Sequence, residues 1–549
     1  MISENSISAF LINLGLDVQG LRLEYAPQGM GDIALPCFQF ASALKKSPND
    51  IAVELEKAFS PNETLERVQA VGPYLNFFLN KARAAAQLME QTTISKAKQH
   101  GHIMVEFCSP NTNKPLHLGH LRNMAIGLSV SNLIESAGGN VIRACLVNDR
   151  GIHICKSMLA YMLWGEGKMP DKKSDHFVGD FYVMYSKKED NTLAKKAHEL
   201  LLRWEANDSE VRALWSKMNS WALEGFQETY ERFGVKFARI YRESEIYDKG
   251  KELIEEGLKS GVFVEKDGAI VAEFSDMPDK VVMRKDGTSL YITQDIFLAM
   301  QKFRDYNINQ SIYVVGSEQN LHFKQLFAIL GKLGFQHAGD CRHLSYGMVN
   351  LPDGRMKSRE GAVVDADDLL DYLSKLAYGE VTKRHSLNEQ EVRERAELIA
   401  VGAIKFYLLK HDMAKDMTYD PKASISFDGE TGPYVMYTYA RISSIIRKYR
   451  GELPNTADFT SFTEADHVIV MLLSRYQETI HEAATALKPF VICHYLLKLS
   501  QAINEYYHKV PVLKADETLR VPRLILLNKA REIIKNGLML LDIRTLEEM

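Results

Sequence analysis

The sequence predicts a multidomain α/β protein: a parallel-sheet domain carrying a helical insertion, a small α/β unit before it and an all-helical bundle after it. Three observations predict this. At 549 residues the chain is too long for one hydrophobic core. A strand–helix–strand pattern runs from His102 to Asn148, which calls for a parallel sheet. Beyond about residue 410 the strand signals fade while helical periodicity continues. The composition, 46% hydrophobic and 25% charged, is that of an ordinary globular protein.

In chain order, "SPNDIAVELEKAF" has the Ser/Pro/Asn start and apolar spacing of a capped helix, and "ERVQAVGPYLNFFLN" turns at Gly-Pro into an alternating apolar strand. The polar "SKAKQHG" marks a boundary, so residues 1–97 form the first unit. "IMVEFCS" reads as a strand, "GHLRNMAIGLSVSNLIESAGG" as a helix ending on Gly-Gly, and "NVIRACLVND" as the next strand. Residues ~155–280 are charge-rich and largely helical in pattern, an insertion into a domain spanning 98–410. A second βαβ-like set follows in "LYITQDIFLAMQKF", "QSIYVVGSEQNLHFKQLFAILGKLG" and "CRHLSYGMVNLPDGRMKSREG". Four helical segments then fill 411–549.

Charge and cysteine usage narrow the function classes. A net charge of -4 with pI near 6.5 excludes a globally basic nucleic-acid binder, so any such contact uses local patches. Cys37, Cys108, Cys145, Cys155, Cys341 and Cys493 form no CxxC pair; neither a disulfide framework nor a metal site is expected, and the expected home is a reducing cytoplasm. The first residues lack a basic segment ahead of an apolar one, so no signal peptide is expected. No run approaches the roughly 18 apolar residues of a membrane span.

The chemistry concentrates in "VEFCSPNTNKPLHLGHLRN". In a parallel sheet, ligands sit beyond the carboxyl ends of the strands, where helix N-termini offer free N–H groups to phosphate. His117 and His120 are three apart at such a place and can project to one side, while Gly119 permits close approach of another chain or ligand. Paired imidazoles can donate to phosphate oxygens as charge builds up during attack at phosphorus.

This segment resembles the first (HIGH) signature of class I aminoacyl-tRNA synthetases, and within them the arginyl family. "DGTSLYITQDI", "VVGSEQNLHFKQLF", "GMVNLPDGRMKSREG", "DGETGPYVMYTYARISSIIRK" and the ending "LLDIRTLEEM" resemble later family segments in the same order. The resemblance covers nearly the whole chain. It implies a class I synthetase-type Rossmann catalytic domain, a small N-terminal domain touching the tRNA elbow and a C-terminal anticodon-binding bundle. The implied activity is ATP-dependent activation of L-arginine and its transfer to tRNA(Arg), with Mg²⁺ accompanying ATP and bound tRNA needed for activation. A monomer is expected.

Residue by residue, the resemblance implies an arginine pocket of Glu106, Asn111, His117, Asp149, Tyr291, Asp295 and Gln319. A guanidinium is always charged and donates in a rigid fork, and acids on two separate strands would recognise the ammonium and guanidinium ends. ATP is expected against His117, Gly119, His120, Asn123, Gly347, Met348, Met356, Lys357 and Ser358. "GRMKSREG" stands where the family carries its KMSKS-like second signature but departs from it: Arg355 and Arg359 take the lysine-like places. Lys114, upstream of the histidines, is expected to share the pyrophosphate charge with Lys357 or Arg359. Aromatic stacking plus cations suits unstacked anticodon bases, and Tyr434, Tyr437, Arg441, Arg447 and Lys448 supply both.

Three rivals differ in class or substrate. A nucleotidyltransferase making a small-molecule adenylate shares the histidine turn but lacks a helical RNA-binding tail. A non-catalytic paralogue is at odds with intact Lys114, His117 and His120; among synthetases for another amino acid, acidic Glu106 and Asp295 favour a cationic substrate, and charge alone leaves lysine open beside arginine.

Overall fold

The computed structural model describes residues 3–27, 29–91, 100–285, 287, 290–352, 354–355, 364–384 and 387–549. Its centre is a five-stranded, wholly parallel sheet. In chain order the strands are β1 (His100–Glu106), β2 (Gly139–Val147), β3 (Arg239–Arg242), β4 (Gln310–Gly316) and β5 (Cys341–Tyr346). In space they run β5-β4-β1-β2-β3. The chain moves outward from β1 to β3 on one side, then crosses to build β4 and β5 on the other. The strand order therefore reverses between β1 and β4, where open parallel sheets form a ligand crevice at their carboxyl ends.

Period-two alternation assigns the faces of β1. Val105 and Phe107 pack with helix α1 (Leu118–Ser136) and, beyond it, the C-terminal helices. Met104 turns to the other face, against α2 (Tyr291–Tyr306) and α3 (Asn320–Lys332). Glu106, two residues on from Met104, shares that second face. α1 ends at Ala137 with Gly138 in the left-handed region (φ 90°), the C-terminal glycine that the sequence predicts.

The N-terminal unit is a four-stranded antiparallel sheet with helices. The predicted capped helix is Pro48–Ala58: Ser47 accepts from the Asp50 N–H at 3.1 Å, and Pro48 occupies the first helical position. The Gly-Pro turn joins Leu65–Val71 to Tyr74–Leu79 as a hairpin. The C-terminal segments form the expected bundle, Gly432–Lys448, Glu464–Ser474, Tyr476–Ala486, Pro489–Lys509 and Glu517–Leu540.

Two local readings change. The insertion is narrower than its charge-rich pattern suggests: helices occupy Ile152–Trp164 and run on through Ser209–Phe233, but Arg239–Arg242 is the edge strand β3, and 264–283 holds a three-stranded meander. A four-residue edge strand reading Arg-Ile-Tyr-Arg carries no hydrophobic signal longer than a helix turn. "LYITQDIFLAMQKF" is a helix throughout, its Ile292, Ile296, Ala299 and Phe303 recurring at three and four residues on the buried side.

The close packing of α1 on the sheet depends on one missing side chain. A Cβ on Gly127 would stand 2.3 Å from the Phe107 ring, which is itself wholly buried. Overpacking of this kind costs about 1–3 kcal/mol. Gly127→Ala is expected to lower the thermal midpoint of the full chain, and an unchanged melting curve would contradict this packing.

Candidate active site

β1 ends in a strained reversal. Cys108 and Ser109 both adopt positive φ (83° and 42°), uncommon for non-glycine residues, and the turn is pinned where the Cys108 N–H donates to Asn123 Oδ1 at 2.5 Å. Pro110–Thr112 then runs beside Asn148, whose N–H donates to the Pro110 carbonyl (2.9 Å) and whose carbonyl accepts from Thr112 N–H (3.2 Å). The chain thus arrives at His117, the N-cap of α1, from a fixed direction.

The two imidazoles cap this helix end together. The Gly119 N–H donates to His117 Nδ1 and the His117 N–H donates to His120 Nδ1, each at 3.1 Å, and the ring centroids are 3.9 Å apart. Because both Nδ1 atoms accept, both protons sit on Nε2, so each ring has an Nε2–H left to donate. Burial, reinforced by the Lys114 charge, holds His117 down at about 4 and holds His120 well below the usual imidazole range. Burial also lowers Lys114. At neutral pH the pair is uncharged. Its chemistry is that of two aimed dipolar donors beside an ammonium, suited to phosphate oxygens.

The next turn of α1 ties distant backbone to the histidines. Arg122 is wholly buried; its Nη1 donates to the carbonyls of Gly347 (2.6 Å) and Met348 (3.0 Å), and its Nη2 to those of Met413 (3.2 Å) and Lys415 (2.9 Å). Asp416 accepts from the Met348 N–H at 2.7 Å, and Val349–Leu351 pairs in parallel with Met417–Thr418. Gly347 is needed here, since a Cβ would lie 2.4 Å from the Lys415 carbonyl carbon. The strand leading to the second signature is therefore tied to the segment that enters the helical bundle. That signature itself, with Met356, Lys357, Ser358 and Arg359, lies outside the described residues. On its far side the chain returns beside the histidines: Leu118 N–H donates to the Val364 carbonyl and Ala366 N–H to the Leu116 carbonyl.

Asn123 is buried with its amide fully engaged, accepting from Cys108 and donating to the Val314 carbonyl (2.8 Å) and Tyr346 hydroxyl (2.9 Å). In this arrangement it joins the ends of β1, β4 and β5, and no donor of its amide is left over for ATP.

At the β1/β4 switch point lies a cavity of about 490 Å³ lined by Glu106, Glu243, Tyr291, Asp295, Gln319 and His322, among others. Four of the predicted arginine ligands thus converge. Asp295 sits on the first turns of α2, not on a strand, and His322 Nε2 from α3 lies 2.7 Å from its Oδ2. Tyr291 and Gln319 are exposed at the rim. Asn111, Asp149 and His117 do not line it. The Asp149 carboxylate instead accepts from Ser244 N–H (2.8 Å) and Oγ (2.7 Å), fixing the helix turn that carries Glu243. Glu243 was not predicted, since nothing in "YRESEIYD" marks it; burial chiefly, and the charges of Asp149 and Asp295, push its carboxyl up to about 7. A larger cavity of about 650 Å³ lies against the amino ends of the strands and the bundle, beside Ile103, Gly139 and Tyr476; it contains no acidic side chain and is remote from the histidines.

One group outside this region, Asp175, His176 and Asp367, has the spacing of metal ligands. Lys173 Nζ already occupies it, 2.9 Å from Asp175 and 3.0 Å from Asp367. On the bundle, Tyr434, Tyr437, Arg441, Arg447 and Lys448 share Gly432–Lys448. Arg441 stacks on Tyr437 and Tyr507 (4.8 and 5.4 Å to the ring centres), whereas Arg447 pairs with Glu548 of the chain end at 3.1 Å. Tyr439 and Tyr506 are buried, with hydroxyls on Glu547 and Asp466.

The model of class I (R) tRNA synthetase catalytic domains matches residues 84–420, that of the DALR anticodon-binding domain 435–549, and that of the arginyl-tRNA synthetase N-terminal domain 2–79. The arginine–tRNA ligase of Treponema denticola is 43% identical over 95% of this chain and 93% of its own, and that of Parabacteroides distasonis 39% identical over 94% of each. The structure of Thermus thermophilus arginyl-tRNA synthetase superposes over 100% of both chains with a TM-score of 0.83 at 26% identity. By these matches the chain belongs to the arginyl-tRNA synthetase family of class I aminoacyl-tRNA synthetases.

Proposed function

We propose that the chain activates L-arginine with ATP and transfers the arginyl group to the 3′ end of tRNA(Arg). The observation that carries the reading is that β1 ends in an acidic cavity and the chain leaving it leads into a neutral histidine pair with two Nε2–H donors. The arginine carboxylate attacks the α-phosphorus of ATP. A new P–O bond forms as the bond to the β-phosphate breaks, giving arginyl-adenylate and pyrophosphate. A ribose hydroxyl of tRNA then attacks the adenylate carbonyl, loses its proton and expels AMP. The first step needs no enzyme nucleophile: positioning and charge stabilisation suffice, as in phosphoryl transfer generally.

Glu106, Glu243 and Asp295 hold the cationic ends of arginine, with Tyr291 and Gln319 closing the rim. His117 and His120 donate to the phosphate oxygens, and Lys114, with Lys357 or Arg359, balances the departing pyrophosphate. Mg²⁺ would be held by the phosphate oxygens of ATP, where it would offset their charge, since a hard cation takes oxygen ligands and the imidazole and ammonium groups here suit the phosphate itself. Residues 1–97 serve the tRNA elbow, 98–410 catalysis and 411–549 the anticodon, with Tyr437, Arg441 and Tyr507 as the stacking face. The reading takes the protein as a cytoplasmic monomer.

The deciding experiment is charging of tRNA(Arg) by the purified chain with arginine, lysine or cysteine. Arginine- and ATP-dependent product is expected, and charging with lysine instead, or none, would overturn the reading. His120→Ala removes one preorganised donor and is expected to slow pyrophosphate exchange by about 10²–10³-fold with arginine KM unchanged; an unchanged rate would exclude a transition-state role. With Glu243 titrating at about 7, arginine KM should rise as pH falls from 8 to 6, because the neutral acid no longer opposes a cation. The rise is limited to about tenfold for one proton. Glu243→Gln should flatten it, and a profile unaltered in that variant would remove Glu243 from the pocket.

A further inference from the structure

We propose that Lys302 is a positioning residue for arginine selection, the built-in counter-ion that keeps Glu106 ionised in the empty cavity. The proposal rests on the arginine pocket described above. Asp295 and Lys302 are seven residues apart on α2, two helical turns, so one helix face delivers an acid to the cavity and a base behind it. β1 turns Glu106 toward this same helix, and Lys302 Nζ lies 2.6 Å from its Oε2. Lys302 is wholly buried, with its ammonium over the Tyr313 ring at 4.1 Å. Among the described residues neither Nζ nor Oε2 has a well-aligned hydrogen bond, and Lys302 is the one cation within ion-pair distance of Glu106.

The surroundings leave this role to no other group. Tyr241 on β3, Tyr313 on β4 and Cys341 on β5 face the pair, and burial pushes each up, which keeps it uncharged near neutrality. Arg239 lies on the Tyr241 ring at 4.7 Å, and Asp295 is engaged by His322. A buried carboxylate without its cation takes up a proton, and a cationic substrate must then displace that proton in order to bind. With Lys302 on Oε2, Glu106 is ionised beforehand and Oε1 is the oxygen offered to arginine.

The test is calorimetric titration of L-arginine into the full chain from pH 6 to 8.5, using wild type, Lys302→Met, Lys302→Arg, Glu106→Gln and the double variant Glu106→Gln/Lys302→Met. Dividing each Kd by that of its reference cancels the titration of Glu243. The ratio of Lys302→Met to wild type is expected to climb as pH falls, by up to about tenfold per pH unit for one proton. Lys302→Arg keeps the charge and should hold a pH-independent ratio, as should the double variant relative to Glu106→Gln. A flat Lys302→Met ratio with wild-type binding intact overturns the role of Lys302 alone. Absence of arginine binding by wild type at every pH overturns the functional reading and this inference with it. Melting provides a second reading if Lys302→Met folds poorly: one unpaired buried charge is worse than none, so the single variant should melt below the double variant, and equal melting overturns the pairing.

Discussion

A guanidinium enclosed by backbone carbonyls organises this molecule. Arg122 holds Gly347 and Met348 with one nitrogen and Met413 and Lys415 with the other, so three stretches distant in sequence meet at one side chain. Burial lowers its pKa to about 10, which still leaves it charged at neutral pH. Four carbonyl dipoles stand where a carboxylate would be the usual partner. Bonds to a charged donor are worth more than neutral ones, and leaving any of these acceptors bare in the interior would carry its own desolvation cost. The arrangement therefore favours a single geometry. The helix bearing the histidines, the strand leading to the second signature and the entry to the bundle cannot shift independently.

The same economy of parts governs the histidines. A helix N-terminus has unsatisfied N–H groups that are ordinarily capped by Ser, Thr, Asp or Asn. Here imidazoles accept from the Gly119 and His117 N–H groups, and capping fixes their tautomer. A carboxylate could cap the helix but has no proton to present, whereas an imidazole caps with one nitrogen and presents a rigid donor on the far side of its ring. In the proposed reading the same rings that cap the helix also serve as the phosphate donors. Burial keeps both rings neutral, and that neutrality preserves the cap, since a proton on Nδ1 would break it.

Much of this was legible in advance because it is local. The Ser47 cap, the Gly72–Pro73 hairpin, the helix stop at Gly138 and the histidine turn each depend on residues a few positions apart. What was hidden depends on distance along the chain. Arg122 lies inside the most informative stretch of the sequence, yet its partners are 225 to 293 residues away. Glu243 follows a strand too short to announce itself, and Lys302 reads as one more charge on a helix until Glu106 is placed beneath it. Asp295 was found as a pocket residue but expected on a strand, since a β-branched helix start imitates one. Asp149 and Asn123 are motif residues whose side chains hold other residues in place, which no local pattern announces.

Charge segregation explains how one crevice can take a cationic amino acid and a polyanionic nucleotide. Two unit charges ~6 Å apart at an effective dielectric of ~20 interact by about 3 kcal/mol, enough to decide affinity. Imidazolium rings beyond the end of the strand that carries Glu106 would set positive charge against arginine. Neutral rings do not, and still offer donors to phosphate. Behind the cavity, Lys302 pairs with Glu106, and His322 lies against Asp295, so two of the grouped acids each have a partner. Glu243 has no such companion within ion-pair distance among the described residues and is the acid held near neutrality. The cavity therefore keeps an acidic lining for a cation while Glu106 and Asp295 are engaged by Lys302 and His322, and that engagement lets the lining stay inside the fold.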